Sequence, residues 1–374
     1  MQFIDLKKQY KILKKDIDKN INSIFDRCQF IMGPEVIELE QKLSKYTGSK
    51  YCLSCSSGTD ALLIALMARG VGPGDAIITT PFTYIATAEV ISLLGATPIF
   101  ADIYPNTFNI NPDGIIHAFE KAKSKNLKPR GIIPVNLFGL PSRYRLIKKI
   151  ADELDLFIIE DAAQSFGSSI RKKKSCSYGD IATTSFFPAK PLGCYGDGGA
   201  IFTDNKDCFL KMESIRIHGQ GKNKYDCDRI GLNGRLDTIQ AAVLLAKLSI
   251  YDKEIEMRQN VANLYFENLK NQNKIQTPFI PVGYTSVWAQ YSVLFESQSV
   301  RLSVIQNLQK KGIPSVVYYE KPLHLQKAFM SLEYNYGDFP ISEDTSLRIL
   351  SLPMHPYLES SDIENICNII KASI

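Results

Sequence analysis

The sequence predicts an α/β fold, with a mainly parallel sheet in a large domain and a smaller α+β domain at the C-terminus. Short β-branched runs alternate with helical patterns through the first half of the chain, as in parallel sheets that helices cover on both faces. A long helical stretch runs from Ile239 to Phe266, and after Thr277 the pattern changes to proline-punctuated strands and short helices. We therefore expect a large domain over residues 1–245, including an N-terminal helical segment, and a small domain over residues 246–374.

Six short apolar runs are predicted as strands of the large domain. They are Ala76–Thr80, Thr97–Asp102, Gly131–Val135, Leu156–Ile159, Ala182–Phe186 and Ala200–Thr203. Helices are expected between most of them, for example over Ala88–Leu94 and Arg145–Leu154. Glycine-rich residues 193–199 join the last two strands without a helix, so we expect one antiparallel strand.

The composition argues against several classes of protein. A net charge of +5 is mild for 374 residues, no nucleic-acid motif stands out, and no apolar run is long enough for a membrane span. Only Cys52 and Cys55 form a Cys-x-x-Cys pair; we expect them to alternate across a buried strand rather than to bind zinc. The start lacks a signal-peptide pattern, so we expect a reduced cytoplasm. The basic run Arg171–Lys174 predicts a solvated hairpin turn, with a nucleotide contact as the alternative.

Lys190 is the first candidate functional residue. It follows the Ser/Thr and aromatic-rich run Thr183–Phe187 and precedes the glycine-rich residues 195–199. Apolar surroundings disfavour an ammonium ion and lower the pKa of a lysine, and a neutral lysine amine can carry a cofactor as an imine. The alternative is an ordinary solvated surface lysine.

Two carboxylates and an amide, Glu160, Asp161 and Gln164, follow the predicted strand Leu156–Ile159. Catalytic groups collect at such strand ends in open α/β sheets. Pyridoxal phosphate needs a carboxylate that keeps its pyridine nitrogen protonated, and Asp161 suits that position, with Gln164 available for the ring's phenolic oxygen. The alternative is that Glu160 and Asp161 cap the following turn or pair with a lysine.

A small polar loop around Ser57 and Thr59 runs directly into an apolar helical stretch. Backbone N–H groups at such a helix start, together with the two hydroxyls, form an anion cup; these residues are also ordinary helix caps. Phe82 and Tyr84 follow another predicted strand. Either ring could stack on a flat cofactor, and we expect one of the two to fill the core.

These motifs, in this order, resemble those of the DegT/StrS-type sugar aminotransferases. The resemblance includes residues 159–164 (Ile-Glu-Asp-Ala-Ala-Gln), 185–190 (Ser-Phe-Phe-Pro-Ala-Lys) and 231–237 (Gly-Leu-Asn-Gly-Arg-Leu-Asp), and it extends from Phe3–Leu6 to Ser351–Pro356. Members of that family are fold-type I pyridoxal phosphate enzymes that aminate keto groups on nucleotide-linked sugars. The resemblance thus implies that fold, pyridoxal 5'-phosphate with pyridoxamine phosphate (PMP) as its aminated form, and L-glutamate as the amino donor.

The resemblance also implies roles for individual residues. It implies Lys190 as the Schiff-base lysine and proton shuttle, with the pyridine nitrogen on Asp161 and the ring oxygen on Gln164. The remaining implied contacts are Tyr84 on the ring face, Gly58, Thr59 and Ser185 on the phosphate, and Asn233 on the phosphate from the neighbouring subunit of a homodimer.

Within the family, the sequence is most similar to bacterial enzymes that transaminate UDP-2-acetamido-2-deoxy-3-oxo-glucuronate for surface polysaccharides. The similarity implies that Arg235 holds the uronate carboxylate through two parallel hydrogen bonds; a structural ion pair in the dimer loop is the alternative. The family commonly has His-Tyr at Tyr318-Tyr319 and His at Asn136, and these positions are expected to line the sugar site. A dTDP- or UDP-linked 3-keto or 4-keto 6-deoxy sugar is therefore the alternative substrate.

Three other functions remain as weaker alternatives. A dehydratase of the same fold has histidine in place of the active lysine, and Lys190 argues against it. A regulatory relative without turnover is disfavoured because lysine, aspartate, glutamine and the phosphate loop are all kept. An enzyme acting on amino acids alone would need an arginine for the α-carboxylate, and residues 318–324 contain none.

Overall fold

A computed structural model describes residues 1–223 and 225–374. A seven-stranded sheet forms its centre, in the order β1-β9-β8-β5-β4-β2-β3. Its strands are β1 (Tyr51–Cys55), β2 (Asp75–Thr79), β3 (Thr97–Phe100), β4 (Lys128–Ile132), β5 (Phe157–Asp161), β8 (Ile181–Ser185) and β9 (Gly199–Thr203). Within this sheet β9 alone runs antiparallel to its neighbours. The predicted mainly parallel sheet with one antiparallel strand is therefore confirmed.

Helices cover both faces of this sheet. They are α1 (Leu6–Arg27), α2 (Pro34–Thr47), α3 (Gly58–Ala68), α4 (Ala86–Leu93), α5 (Pro112–Ser124), α6 (Tyr144–Glu153), α7 (Lys206–Arg216) and α8 (Thr238–Leu248). Side chains of α3 and α7 pack on one face of the sheet, and those of α5 and α6 pack on the other. Cys52 and Cys55 belong to opposite faces of β1, as the alternation of a buried strand requires.

Most of the remaining elements surround a second hydrophobic core, whereas Leu323 and Phe329 of two 3-10 helices pack with Ala88 of α4 and Phe100 of β3. These elements are β10 (Ile275–Gln276), β12 (Tyr291–Phe295), β13 (Ile349–Leu352), α9 (Tyr251–Leu269), α10 (Gln298–Lys310), α11 (Pro340–Arg348), α12 (Ser360–Lys371) and two 3-10 helices, Leu323–Leu325 and Lys327–Leu332. Strands β10, β12 and β13 make an antiparallel sheet. Its side chains pack with those of α9, α10 and α12.

The single long helix expected over Ile239–Phe266 is wrong, because the structure has a break at Ser249 and Ile250 between α8 and α9. Leu244 packs in the core of the large sheet, whereas Tyr265 packs in the core of the small one. Two helices in different directions are needed to face both cores. The predicted boundary at 245 and 246 falls inside α8.

The basic run Arg171–Lys174 forms the turn and second strand of a short hairpin, β6 (Ser169–Ile170) with β7 (Lys173–Lys174), which β11 (Tyr284–Thr285) extends. The Nζ atom of Lys174 lies 3.3 Å from the centre of the Tyr46 ring. The predicted hairpin is confirmed.

Two absences concern the described residues alone. No helix within residues 1–223 or 225–374 combines the length and apolar character needed to cross a membrane. The same residues contain no cluster of three or more His, Cys, Asp or Glu side chains suited to a metal ion.

Candidate functional site

The candidate site lies at the carboxyl ends of the parallel strands. Strands β1, β2, β5 and β8 point the same way, so the segments that follow them meet at one edge of the sheet. Ser57, Tyr84 and Lys190 lie in the segments after β1, β2 and β8, and Asp161 is at the end of β5. Four stretches that are far apart in sequence thus contribute to one place.

Asp161 is the last residue of β5, and only 4% of it is exposed. One carboxylate oxygen accepts the hydroxyl of Thr87 at 2.8 Å, and the other accepts the N–H of Ala163 at 3.1 Å. Burial raises the pKa of Asp161, while these two bonds and the nearby charge of Lys190 oppose the rise. The hydrogen bonds therefore favour the ionised form of a carboxylate that burial disfavours.

Thr87 was not among the residues that the sequence singled out. It stands three residues after Tyr84, at the start of α4, and its hydroxyl also lies 3.3 Å from that of Thr83. Tyr84 precedes α4, and the N–H of Thr87 donates to the Tyr84 carbonyl at 3.3 Å. The turn that begins α4 therefore joins Tyr84 to the partner of Asp161.

Glu160 points away from Asp161, since neighbouring residues of a strand face opposite ways. Its carboxylate accepts bonds from the Asn136 side chain at 2.9 Å, from Ser175 and from the backbone N–H groups of Cys176 and Tyr178. No lysine among the described residues pairs with it or with Asp161 at ion-pair distance. The alternative of a lysine pair is therefore wrong for both carboxylates.

Asn136 is fully buried beneath the site. Its side-chain nitrogen donates to Glu160 and to Ser175, while its oxygen accepts the N–H of Ser142 at 2.8 Å and the hydroxyl of Tyr144 at 2.9 Å. All four hydrogen-bonding positions of the amide are thus used inside the protein. Contrary to the predicted sugar contact, Asn136 has no polar group free for a ligand, and we assign it a supporting role.

Lys190 lies in the loop after β8 and is partly buried. Its backbone N–H donates to the carbonyl of Phe187 at 2.8 Å. Burial lowers the pKa of the Lys190 amine, and the charge of Asp161 acts in the opposite direction. A lysine with a lowered pKa has a larger neutral, nucleophilic fraction near neutral pH.

The N-terminus of α3 meets the end of β8. A Cβ atom on Gly58 would lie 2.6 Å from Cβ of Ser185, so only glycine allows this approach. Ser57 caps the helix by accepting the N–H of Asp60 at 2.9 Å. Within the described chain, no acceptor is bonded to the N–H groups of Gly58 and Thr59. Two free donors at a helix N-terminus form a site for an anion.

The two aromatic side chains after β2 differ in burial. Phe82 is fully buried in a cluster with Phe108 and Phe138, whereas Tyr84 is 58% exposed. The expectation that one ring fills the core is confirmed for Phe82. Tyr84 is left with a free face at the site edge.

Gln164 and Tyr319, which are 155 residues apart in the sequence, are hydrogen-bonded to each other. The Gln164 side-chain nitrogen donates to the Tyr319 hydroxyl at 3.2 Å, and its oxygen accepts the N–H of Phe138 at 2.7 Å. The ring of Tyr318 lies edge-on to Tyr319, with centroids 5.8 Å apart. The structure thus brings Tyr318 and Tyr319 to the neighbourhood of Gln164.

The segment with Asn233 and Arg235 lies beside the polar loop around Ser57, since the N–H of Ser56 donates to the carbonyl of Gly234 at 3.0 Å. Asn233 is exposed. Arg235 has no carboxylate at ion-pair distance among residues 1–223 and 225–374, and its Nε atom is buried without a partner. The described residues thus supply no ion pair for Arg235, and its guanidinium is available to a ligand or a second subunit.

The residues present fit pyridoxal phosphate. The free N–H groups of Gly58 and Thr59 suit its phosphate, and the Asp161 carboxylate, held by Thr87, suits a protonated ring nitrogen. Lys190 supplies an amine with a lowered pKa near that carboxylate. Donors, carboxylate and amine thus match three parts of one molecule.

Known proteins resemble this chain along its whole length. Residues 11–371 match the model of the DegT/DnrJ/EryC1/StrS aminotransferase family. The chain is 46% identical, over 98% of both sequences, to a Pseudomonas aeruginosa protein named UDP-2-acetamido-2-deoxy-3-oxo-D-glucuronate aminotransferase. It is 40% identical, over 95% of this chain and 94% of the relative, to a pleiotropic regulatory protein of Geobacillus stearothermophilus.

Solved protein structures share the fold of this chain. The crystal structure of a DegT DnrJ EryC1 StrS aminotransferase from Brucella abortus superimposes with a TM-score of 0.95 at 46% identity, over 100% of this chain and 99% of that one. A Bacillus subtilis protein with bound cofactor PMP superimposes with a TM-score of 0.88 at 30% identity, over 99% of this chain and 83% of that one.

Proposed function

This chain belongs to the DegT/DnrJ/EryC1/StrS aminotransferase family, and we propose that it moves the amino group of L-glutamate to a keto group of a nucleotide-linked sugar. The family and fold predicted from the sequence are confirmed by the full-length matches. The observation that carries the proposal is the buried Asp161 carboxylate, held by Thr87, beside the Lys190 amine.

Lys190 and Asp161 have different roles in the proposed reaction. Pyridoxal phosphate, when bound, supplies the electron sink that accepts the electrons of the broken C–H bond. Lys190 takes the proton at Nζ and returns it at another position, because its lowered pKa leaves a neutral fraction that accepts a proton. Asp161 would hold the ring nitrogen of the bound group with its carboxylate, which the bonds from Thr87 and Ala163 keep in place.

The sugar that the proposal names is UDP-2-acetamido-2-deoxy-3-oxo-glucuronate. Two observations support it: the 46% identical relative bears that substrate in its name, and the buried Nε atom of Arg235 has no partner among the described residues. A guanidinium binds a carboxylate through two parallel hydrogen bonds. We assign Arg235 to the uronate carboxylate, and we assign Tyr318 and Tyr319 to the sugar.

The proposal includes a homodimer with shared active sites. Phe25, Phe30 and Ile31 are large apolar side chains that are 38–54% exposed. The carbonyl of Phe30 accepts the N–H of Thr238 at 3.0 Å, so this apolar surface adjoins the segment of Arg235. A second copy that covers it would bring Asn233 and Arg235 to a shared site; sedimentation velocity on the purified protein would measure the assembly.

A reducing compartment suits the chain, because all eight cysteines are free thiols. We therefore place the enzyme in the cytoplasm.

The test of this function is an absorbance spectrum of the purified protein with and without L-glutamate, for wild type and Lys190→Ala. We expect a visible band in wild type that L-glutamate shifts to the near ultraviolet, and no such band from Lys190→Ala. Incubation with the UDP-linked 3-keto uronate should then give an amino sugar and 2-oxoglutarate. A colourless wild type that added pyridoxal phosphate cannot restore would overturn the proposal and favour a regulatory role.

A further inference from the structure

Lys247 of α8 is a buried lysine outside the residues so far assigned to the site. It is 1% exposed, and its Nζ atom donates to the carbonyl of Gly193 at 2.6 Å. The same nitrogen lies 4.1 Å from the centre of the Tyr195 ring. No carboxylate in the described part of the chain lies at ion-pair distance from it. Its polar contact is therefore with the loop that carries Lys190.

This loop is a closed turn fixed to α8 at two points. The N–H of Cys194 donates to the carbonyl of Phe186 at 2.8 Å, which brings the ends of the turn together. Lys247 holds Gly193, and the Gln240 side chain accepts the N–H of Tyr195 at 2.8 Å. Both anchors belong to one helix, so the turn cannot shift without losing contacts to α8.

We propose that Lys247 is a positioning residue, whose ammonium holds the Gly193 carbonyl and thereby sets the position from which Lys190 exchanges protons with the substrate. This inference rests on the aminotransferase function proposed above. A displacement of about 1 Å in a catalytic group can reduce a rate by roughly 100-fold, and Lys190 stands three residues from the anchored carbonyl.

Packing alone does not call for a charged group at this position. Burial of the ammonium is unfavourable and lowers the pKa of Lys247 to about 8, while Glu254 and Cys194 act in the opposite direction. A methionine has nearly the same length and would carry no such cost. The hydrogen bond from the Lys247 ammonium to the Gly193 carbonyl therefore accounts for a charged side chain at this position.

The charge state of Lys247 gives a distinctive pH dependence. The groups that face it are Cys194 and Tyr195 of the loop, Tyr10 of α1 and Glu254 of α9, with Tyr357 and Arg258 behind Glu254. The pKa of Cys194 is raised to about 11 and that of Tyr195 to about 12, so neither changes charge near pH 8.

Stability and loop anchoring should respond to pH in opposite ways. The folded pKa of Lys247 lies below its usual value of 10.5, so the unfolded chain binds more protons between about pH 8 and 10.5. Its contribution to the free energy of unfolding therefore rises with pH across that window. The charge-assisted bond to Gly193 weakens over the same window, because the amine becomes neutral.

The test compares wild type with Lys247→Met and with a matched control, Lys211→Met. The Lys211 amine also donates to a backbone carbonyl, that of Ala68 at 2.7 Å, but away from the loop. We expect Lys247→Met to lower kcat about tenfold or more with KM values within about twofold. Amide exchange over residues 186–196 should rise in the cofactor-free variant. Wild type should lose activity as the pH rises through about 8, because the bond to Gly193 weakens, and Lys247→Met should lack this loss. Lys211→Met should change none of these.

Unchanged kcat and unchanged loop exchange in a folded Lys247→Met protein would overturn the inference. If that variant does not fold, wild type alone decides: loop protection, corrected for intrinsic exchange, should fall between pH 7 and 9.5, and constant protection would contradict it. A wild type that aminates no keto sugar would reject the proposed function instead, since the exchange measurement needs no activity.

Discussion

Replacing Thr87 with valine tests the electrostatic core of the site. The two side chains have nearly the same shape, and the change removes the hydroxyl that donates to Asp161 at 2.8 Å. A hydrogen bond to a buried charged group contributes about 1.5–3 kcal/mol, which corresponds to roughly 10- to 150-fold in kcat/KM. The matched control is Thr83→Val, because the Thr83 hydroxyl contacts Thr87 and not Asp161.

The assay is kcat/KM for the keto sugar as a function of pH, together with the retention of pyridoxal phosphate on dialysis. The pKa of Asp161, already raised by burial, should rise further without the Thr87 bond. Protonation removes the charge that the ring nitrogen requires, so the acid limb of the profile should move to higher pH. A folded Thr87→Val enzyme with wild-type kcat/KM and an unmoved acid limb would refute the role given to this bond.

Three further substitutions test separate parts of the site. Gly58→Ala should weaken binding of pyridoxal phosphate roughly tenfold or more, measured by fluorescence titration, because its Cβ would lie 2.6 Å from Cβ of Ser185. Gly72→Ala is the control, because nothing lies within 4 Å of a Cβ there. If Gly58→Ala and wild type bind with equal affinity, the phosphate does not bind at Gly58. Arg235→Ala should weaken apparent binding of a uronate substrate by about 1.5–3 kcal/mol and leave the KM of a 6-deoxy substrate nearly unchanged. An equal rise in KM for both substrates would contradict the assignment of Arg235 to the uronate carboxylate. Asn136→Leu should lower the free energy of unfolding by about 3 kcal/mol or more, because it removes a donor from the buried Glu160 carboxylate. Urea unfolding measures this change. A stable variant with a raised KM for the sugar would instead indicate that Asn136 contacts the sugar directly.

Much of the fold follows from local patterns in the sequence. The strands that contain Ile77, Ile159 and Ile201 lie in the predicted runs, because continuous apolar runs of this length suit strands buried on both faces. The break between α8 and α9 was not predictable from apolar spacing. Residues on both sides of Ser249 have helical patterns, and only the two separate cores show that the helix must change direction.

The candidate site likewise contains residues that local sequence patterns indicated and residues that they did not. Lys190, Asp161 and Gly58 were singled out from the sequence because each stands in a short motif whose residue types indicate its chemistry. Thr87 and Lys247 were missed, because each acts on a residue that is distant in sequence, 74 and 54 positions away. Nothing in their own neighbourhoods distinguishes them from an ordinary helical threonine and an ordinary helical lysine.

The sequence by itself determined the sheet, the family and the residues at the strand ends, because periodicity and short motifs are properties of neighbouring residues. Only the tertiary structure decided which donors hold those residues. It turned Glu160 and Asn136 into a buried support, and it left Asp161 facing Lys190. Burial is a property of the packed chain, and burial determines whether a carboxylate, an amide or an amine is free to react.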